Sequence, residues 1–82
     1  MPPEADLIRI RHMAAGAREA IGFVAGHSRA DLDTNRMLAR AVVKAIEIVG
    51  EAATKVSDDA RAALPGVPWP DLIAMRHRLI HT

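Results

Sequence analysis

Apolar side chains recur three and four residues apart over two long stretches, and that spacing leaves little choice of fold. Leu7, Ile10, Ala14, Ala17, Ile21 and Val24 form the first series. Leu38, Val42, Ala45, Val49, Ala52 and Val56 form the second. Each series draws one apolar stripe along an α-helix, so the spacing predicts helices over about Glu4–Ala25 and from Asp33 or Thr34 to about Val56. Glu4 and Asp6 lie in the first turn of the first helix, where the helix dipole favours negative charge. Gly26 suits the left-handed residue that ends a helix. Ser28 to Asp33 reads as a polar link with one loose turn, and Asp33 or Thr34 as the cap of the second helix. Two long stripes joined by a short link make an antiparallel helical hairpin.

The remaining punctuation divides the second half. Ser57 can cap a short helix over Asp58–Leu64, which Pro65-Gly66 stops. Pro68-Trp69-Pro70 then starts a last helix with Pro70 at its first position, and Leu72, Met75 and Leu79, widened by Ile73 and Ile80, form its stripe. Gly50 sits inside the second long helix, where it costs up to about 1 kcal/mol relative to alanine. Close approach of a neighbouring backbone compensates. The chain therefore reads as one all-α domain over 1–82: an antiparallel helical bundle of two long helices, a short helix and a final helix.

Composition narrows the chemistry. Aromatic residues make up 2% of the 82 residues, so Trp69 and Phe23 are the large rings available to the core, and a β-sandwich is excluded. Without cysteine there is no disulfide and no Cys-based zinc site. Eleven cations against ten anions give a net charge of +1, too small for nucleic-acid binding through bulk charge. No apolar run approaches the ~20 residues of a membrane span, and the acidic N-terminus lacks a signal-peptide core, so a cytoplasmic protein is expected.

Reactive groups concentrate in the last helix, with Arg76, His77, Arg78 and His81 inside six residues. His77 and His81 are four apart, a spacing that can bind zinc, but Arg78 stands where HExxH carries its glutamate, and no metal site is expected. Arg76 and His81 suit phosphodiester chemistry. A histidine can remove a proton from a ribose 2′-OH, and an arginine fork can hold the phosphate and stabilise charge on its oxygens. The bare pattern is unspecific: among nine arginines and four histidines about one such match arises by chance. The plain alternative is that both arginines solvate the surface. Glu47 and Glu51 read as a solvated face pairing with Lys44 and Lys55. His12 and His27 read as surface residues without partners, and Trp69 as a core anchor.

The string Trp69-Pro70-Asp71-Leu72-Ile73-Ala74-Met75-Arg76-His77-Arg78-Leu79-Ile80-His81 resembles the signature helix of the HEPN superfamily, and within it the HepT-like toxins, whose pattern there is Pro-Trp, a helix, then Met-Arg-Asn-x-Leu-Ile-His. Ala45-Ile46-Glu47-Ile48-Val49-Gly50-Glu51-Ala52-Ala53 resembles the Ile-Ile-Gly-Glu-Ala segment of the same family, and Ser57-Asp58 before a short helix agrees with it. The likeness covers about Asp31 to Thr82. It implies a helical bundle that forms a homodimer, with Arg-x4-6-His residues of two protomers facing each other. It also implies a metal- and cofactor-independent endoribonuclease, the toxin of a toxin–antitoxin pair whose partner is a small nucleotidyltransferase antitoxin. Carried over, Arg76 and His81 are the catalytic pair, with His77 in the auxiliary polar position. Residues five apart point about 140° away from each other on a helix, so a site shared across a two-fold axis is expected. The sequence departs from the family in having no tyrosine two residues after His81, the residue that the antitoxin adenylylates. The expectation is a domain lacking its C-terminal portion, and an 82-residue form that cleaves poorly. The alternative reading is a non-catalytic HEPN remnant acting as a dimerisation or protein-interaction module.

Overall fold

A computed structural model describes residues 3–80. Five helices follow one another: α1 (Glu4–Val24), α2 (Arg29–Thr34), α3 (Arg36–Thr54), α4 (Asp58–Ala63) and α5 (Trp69–Ile80). No strand occurs among the described residues, so the all-α expectation holds. The central element is α3. Its stripe of Ala45, Val49 and Ala52, continued by Val56 beyond its end, is buried as the spacing requires. α1 packs antiparallel against it, and α5 folds back along it.

The segment between the long helices is more ordered than a loose turn. Ser28 and Asp31 form a reciprocal cap, with Asp31 N–H donating to Ser28 Oγ at 3.3 Å and Ser28 N–H donating to Asp31 Oδ2 at 2.8 Å. The pair starts α2. His27 Nδ1 lies 3.2 Å from the same Asp31 oxygen, so His27 has a partner that sequence reading did not give it. The Ser28 amide and His27 hold the Asp31 carboxyl below its ordinary value. Because α2 takes up Asp33 and Thr34, neither caps the next helix. That cap is Asn35, whose Oδ1 accepts from Leu38 N–H at 3.0 Å. Gly26 has φ +75°, the left-handed conformation expected after a helix end.

α1 presents a different face from the one its aliphatic residues outline. Asp6, Met13 and Gly16 are buried, while Ala17, Ile21 and Val24 are exposed. Phe23 is 37% exposed and is not a core ring. Gly16 explains the rotation. A Cβ there would stand 2.9 Å from Val49 Cγ2 and 3.1 Å from the Ala45 carbonyl, so the glycine lets α1 settle closely on α3. Met13 joins Val49, Ala52, Ala53, Val56, Ala60 and Trp69 in the core, with Ile10, Val67, Leu72 and Ile73 packed against them.

Asp6 supplies the second anchor. It is 4% exposed, and its carboxylate accepts from Ser57 N–H at 2.9 Å and from Ser57 Oγ–H at 2.6 Å. Ser57 Oγ in turn accepts from Ala60 N–H at 3.2 Å as the cap of α4. One carboxylate thus ties the start of α1 to the α3–α4 corner. These hydrogen bonds hold Asp6 below its ordinary value of 3.8. The stabilisation that follows is fully present above that value and is lost as pH falls through the lower folded value. Asp6→Asn should therefore lower Tm by several degrees at pH 7, and the gap to the parent protein should close as both are acidified below about pH 4. An equal gap at pH 3 and pH 7 in thermal melts would show that the carboxylate charge is not what holds the corner.

At the same corner Arg61 Nη2 donates to the Ala53 and Thr54 carbonyls at 2.9 and 3.2 Å, at the C-terminal end of α3. Its guanidinium carbon lies 5.9 Å from the Trp69 ring centre, and Trp69 Nε1 donates to the Leu64 carbonyl at 3.1 Å. Trp69 is the core anchor expected. It occupies the first helical position of α5 and Pro70 the second, a shift of one residue from the expected start. This corner fixes where α5 begins and, through it, where Arg76 falls.

Candidate active site

Arg76 is placed by a glycine. At Gly50, in the buried C-terminal half of α3, an added Cβ would overlap Arg76 Cβ, and it would stand 3.1 Å from the Leu72 carbonyl. The close backbone approach expected from a glycine inside α3 is therefore the crossing with α5, and the residue seated on it is Arg76. The neighbour of that glycine completes the placement. Glu51 Oε2 pairs with Arg76 Nη2, and Glu51 Oε1 lies 3.2 Å from Lys55 Nζ. The Lys55 hydrogen bond, with the Arg76 charge behind it, holds the Glu51 carboxyl below its ordinary value. Glu51 stays ionised at neutral pH, and Arg76 keeps its partner there. The Glu51–Lys55 pair was legible from i,i+4 spacing, whereas the Arg76 contact was not. Its one signal in the sequence was the Gly50-Glu51 neighbourhood.

Arg76 opens onto a groove of about 320 Å³ walled by three helices. α1 contributes Arg9 and His12, and α3 contributes Lys44, Glu47, Ile48, Glu51 and Ala52, with Lys55 at its C-terminal cap. α5 contributes Arg76 and Ile80. His12 is exposed, as expected, yet it shares this groove with Arg76, which sequence reading missed. Arg9 was missed too. Nothing local marks either residue, because both meet Arg76 only across helices.

His77 lines a separate groove, with Arg61, Trp69, Pro70, Ile73, Ala74 and Arg78. The two adjacent residues point away from each other because neighbours on a helix are about 100° apart. Within one chain Arg76 and His77 thus serve different surfaces. His81, expected to act with Arg76, lies outside the described residues. Among the described residues no group of three or more His, Asp or Glu gathers where it could hold a metal ion. The groove instead gathers Arg9, Lys44, Lys55, Arg76 and the His12 imidazole against Glu47 and Glu51, a cationic excess that can bind an oxyanion.

Comparison with known proteins gives a consistent result. Residues 13–82 match the family described as Ribonuclease HepT-like. A protein of Methanocaldococcus jannaschii named "Putative RNase MJ1380" is 35% identical over 65 residues, covering 79% of this chain and 60% of the relative. "Putative RNase TTE0752" of Caldanaerobacter subterraneus is 33% identical over 72 residues, covering 88% and 64%. "Probable ribonuclease HepT" of Thermococcus cleftensis is 42% identical over 41 residues, covering 50% and 37%. The chain thus spans less than two thirds of the length of each of these relatives. No solved structure matches it.

Proposed function

The chain belongs to the HepT-like ribonuclease family, of HEPN type, and from that premise we propose that it is a metal-independent endoribonuclease toxin, neutralised by a nucleotidyltransferase antitoxin and acting in the cytoplasm as a homodimer. The observation that carries the reading is the seating of Arg76: a glycine crossing and a carboxylate partner hold one guanidinium at the wall of a cationic groove. Such a fork can bind two non-bridging oxygens of a phosphodiester and take up the charge that grows on them. His81 removes the proton of the ribose 2′-OH. The 2′-oxygen bonds to phosphorus, the P–O5′ bond breaks, and the departing 5′-oxygen takes up a proton. The products are a 2′,3′-cyclic phosphate and a 5′-hydroxyl. His77, on the neighbouring surface, assists from a partner protomer.

Assembly is supported by apolar surface that one chain leaves uncovered. Met37 is 84% exposed and Ile21 68%, both towards the end of the hairpin that the shorter α5 does not reach. On α5 itself Met75 and Ile80 are 40% and 44% exposed. The same surface favours the second reading, a non-catalytic interaction module, because it needs only a partner. No helix among the described residues is long and apolar enough to cross a membrane.

One experiment separates the two readings. Purified protein is incubated with RNA in EDTA, the products are analysed for cyclic phosphate, and the same sample is sized by light scattering. A dimer that yields 2′,3′-cyclic ends in EDTA is the expected result. A dimer that leaves RNA intact supports the interaction module, and cleavage that stops in EDTA overturns the metal-free mechanism.

A further inference from the structure

The groove beside Arg76 does not end at its own rim. A second groove of about 320 Å³ runs along α3, lined by Ala39, Arg40, Val43, Lys44 and Glu47. Lys44 and Glu47 belong to both, so the two adjoin along α3. Arg40 and Lys44 are one helical turn apart on the same face, and Arg9 faces the first groove from α1. From Arg40 to Glu51, where Arg76 is held, eleven residues of helix span about 16 Å. The chain as a whole is nearly neutral at +1, yet this strip gathers Arg9, Arg40, Lys44, Lys55 and Arg76 against Glu47 and Glu51, and Glu51 is already paired with two of the cations.

We infer that this strip is a backbone track for single-stranded RNA, in which Arg40 and Lys44 on one side and Arg9 on the other bind the phosphates that flank the one held by Arg76. The inference rests on the ribonuclease reading and deepens it, since it assigns substrate-binding residues outside the Arg76–His81 pattern. A strip that follows one face of α3 presents a single row of cations, which one strand can follow, whereas the two backbones of a duplex need a broad face. Readout depends little on base identity, because the strip offers mainly charges: His12 is the one ring lining it, and Trp69 is buried and belongs to another groove.

The test is binding of a fluorescent single-stranded RNA with 2′-O-methyl riboses, which cannot be cleaved by 2′-OH attack, measured by anisotropy from 50 to 200 mM salt. Each lost phosphate contact flattens the slope of log K against log salt by about 0.7 for a single strand. Arg40→Gln with Lys44→Gln should flatten it by about 1.4, so that the affinity lost relative to the parent protein is about seven-fold larger at 50 mM than at 200 mM. Arg9→Gln should flatten it by about 0.7, and Arg9→Lys should restore it. Arg18→Gln with Arg29→Gln removes the same charge from outside both grooves and should leave the slope unchanged. The inference is overturned by an unchanged slope in the Arg40/Lys44 double variant, by equal flattening in the Arg18/Arg29 control, by duplex RNA binding as tightly as the single strand, or by a poly-glutamate peptide competing as well as RNA. The ribonuclease reading fails separately: unmodified RNA left intact, with the slope changes still seen, removes the activity and leaves the track.

Discussion

Arg76→Ala is expected to lower the rate of RNA cleavage by about 10²–10³-fold, the usual cost of removing one group that stabilises transition-state charge, while the melting temperature changes little. The two effects separate because of where the side chain lies. Its Cβ occupies the glycine crossing, and alanine keeps that atom, so the packing of α5 on α3 survives. What is lost is a half-buried guanidinium at the wall of the groove, and the ion pair it makes with Glu51 is too exposed to contribute much to folding. Arg76→Lys should recover part of the rate, since an ammonium brings the charge without the two-pronged geometry. Glu51→Gln provides the finer test. Glu51 is a positioning residue: it touches Arg76 and not the substrate. Its loss should lower kcat by about ten-fold with KM little changed, because misplaced charge stabilises the transition state less well. The acid limb gives an independent readout. Glu51 is held below its ordinary value of 4.5, so its hold on Arg76 is complete above that value and disappears as pH falls through the lower folded value. A decline in rate below about pH 4.5 that adds to the loss protonation of the general base causes in both proteins, and that Glu51→Gln lacks, is the expected signature. Wild-type cleavage by Arg76→Ala in a gel assay would remove Arg76 from the mechanism.

Gly50→Ala should be damaging although it adds one methyl group to a helix. Propensity alone predicts a gain, since alanine is better than glycine in a helix interior by about 1 kcal/mol. That gain should be seen at Gly22 in α1, where an added Cβ meets nothing within 4 Å. At Gly50 it would overlap Arg76 Cβ and press on the Leu72 carbonyl at 3.1 Å. Neither is the free end of a flexible side chain, so α5 as a whole must move. Overpacking of this kind costs about 1–3 kcal/mol, more than propensity returns, and a chain of this size loses roughly 4–8 °C of Tm per kcal/mol. The displacement also carries Arg76 away from Glu51, and a shift of about 1 Å at a reacting group can cost about 100-fold in rate. The expected pattern is a lower Tm and a large loss of cleavage for Gly50→Ala, beside a higher Tm and unchanged cleavage for Gly22→Ala. Calorimetry and the cleavage assay on the two variants decide it. Equal stabilisation by both would mean that α5 does not rest on Gly50.

Much of this molecule could be read from local chemistry. Helix periodicity is set by residues three and four apart, so the α3 stripe from Ala45 to Val56 and the all-α fold followed from spacing alone. Ser57 as a cap and Gly50 as a point of close approach followed from what a hydroxyl and a missing Cβ can do. The string around Arg76, with the Gly50-Glu51 segment upstream, pointed to the family to which the chain belongs. Tertiary structure decided the rest. On α1 the aliphatic residues outline one stripe, yet the buried face of Asp6, Met13 and Gly16 is turned from it by one residue, a rotation that spacing does not contain. The choice fell to Gly16 against Val49 and Asp6 against Ser57, and it left Ile21, Phe23 and Val24 outside. The same rotation turned Arg9 and His12 towards Arg76. Glu51 could be paired with Lys55 from spacing, but its bond to Arg76 joins α3 to α5, and the angle of that crossing is set by Gly50 and the Trp69 anchor. Spacing along the chain specifies which residues share a helix face. Which faces meet depends on the shape and charge of both surfaces, and only the packed molecule contains both.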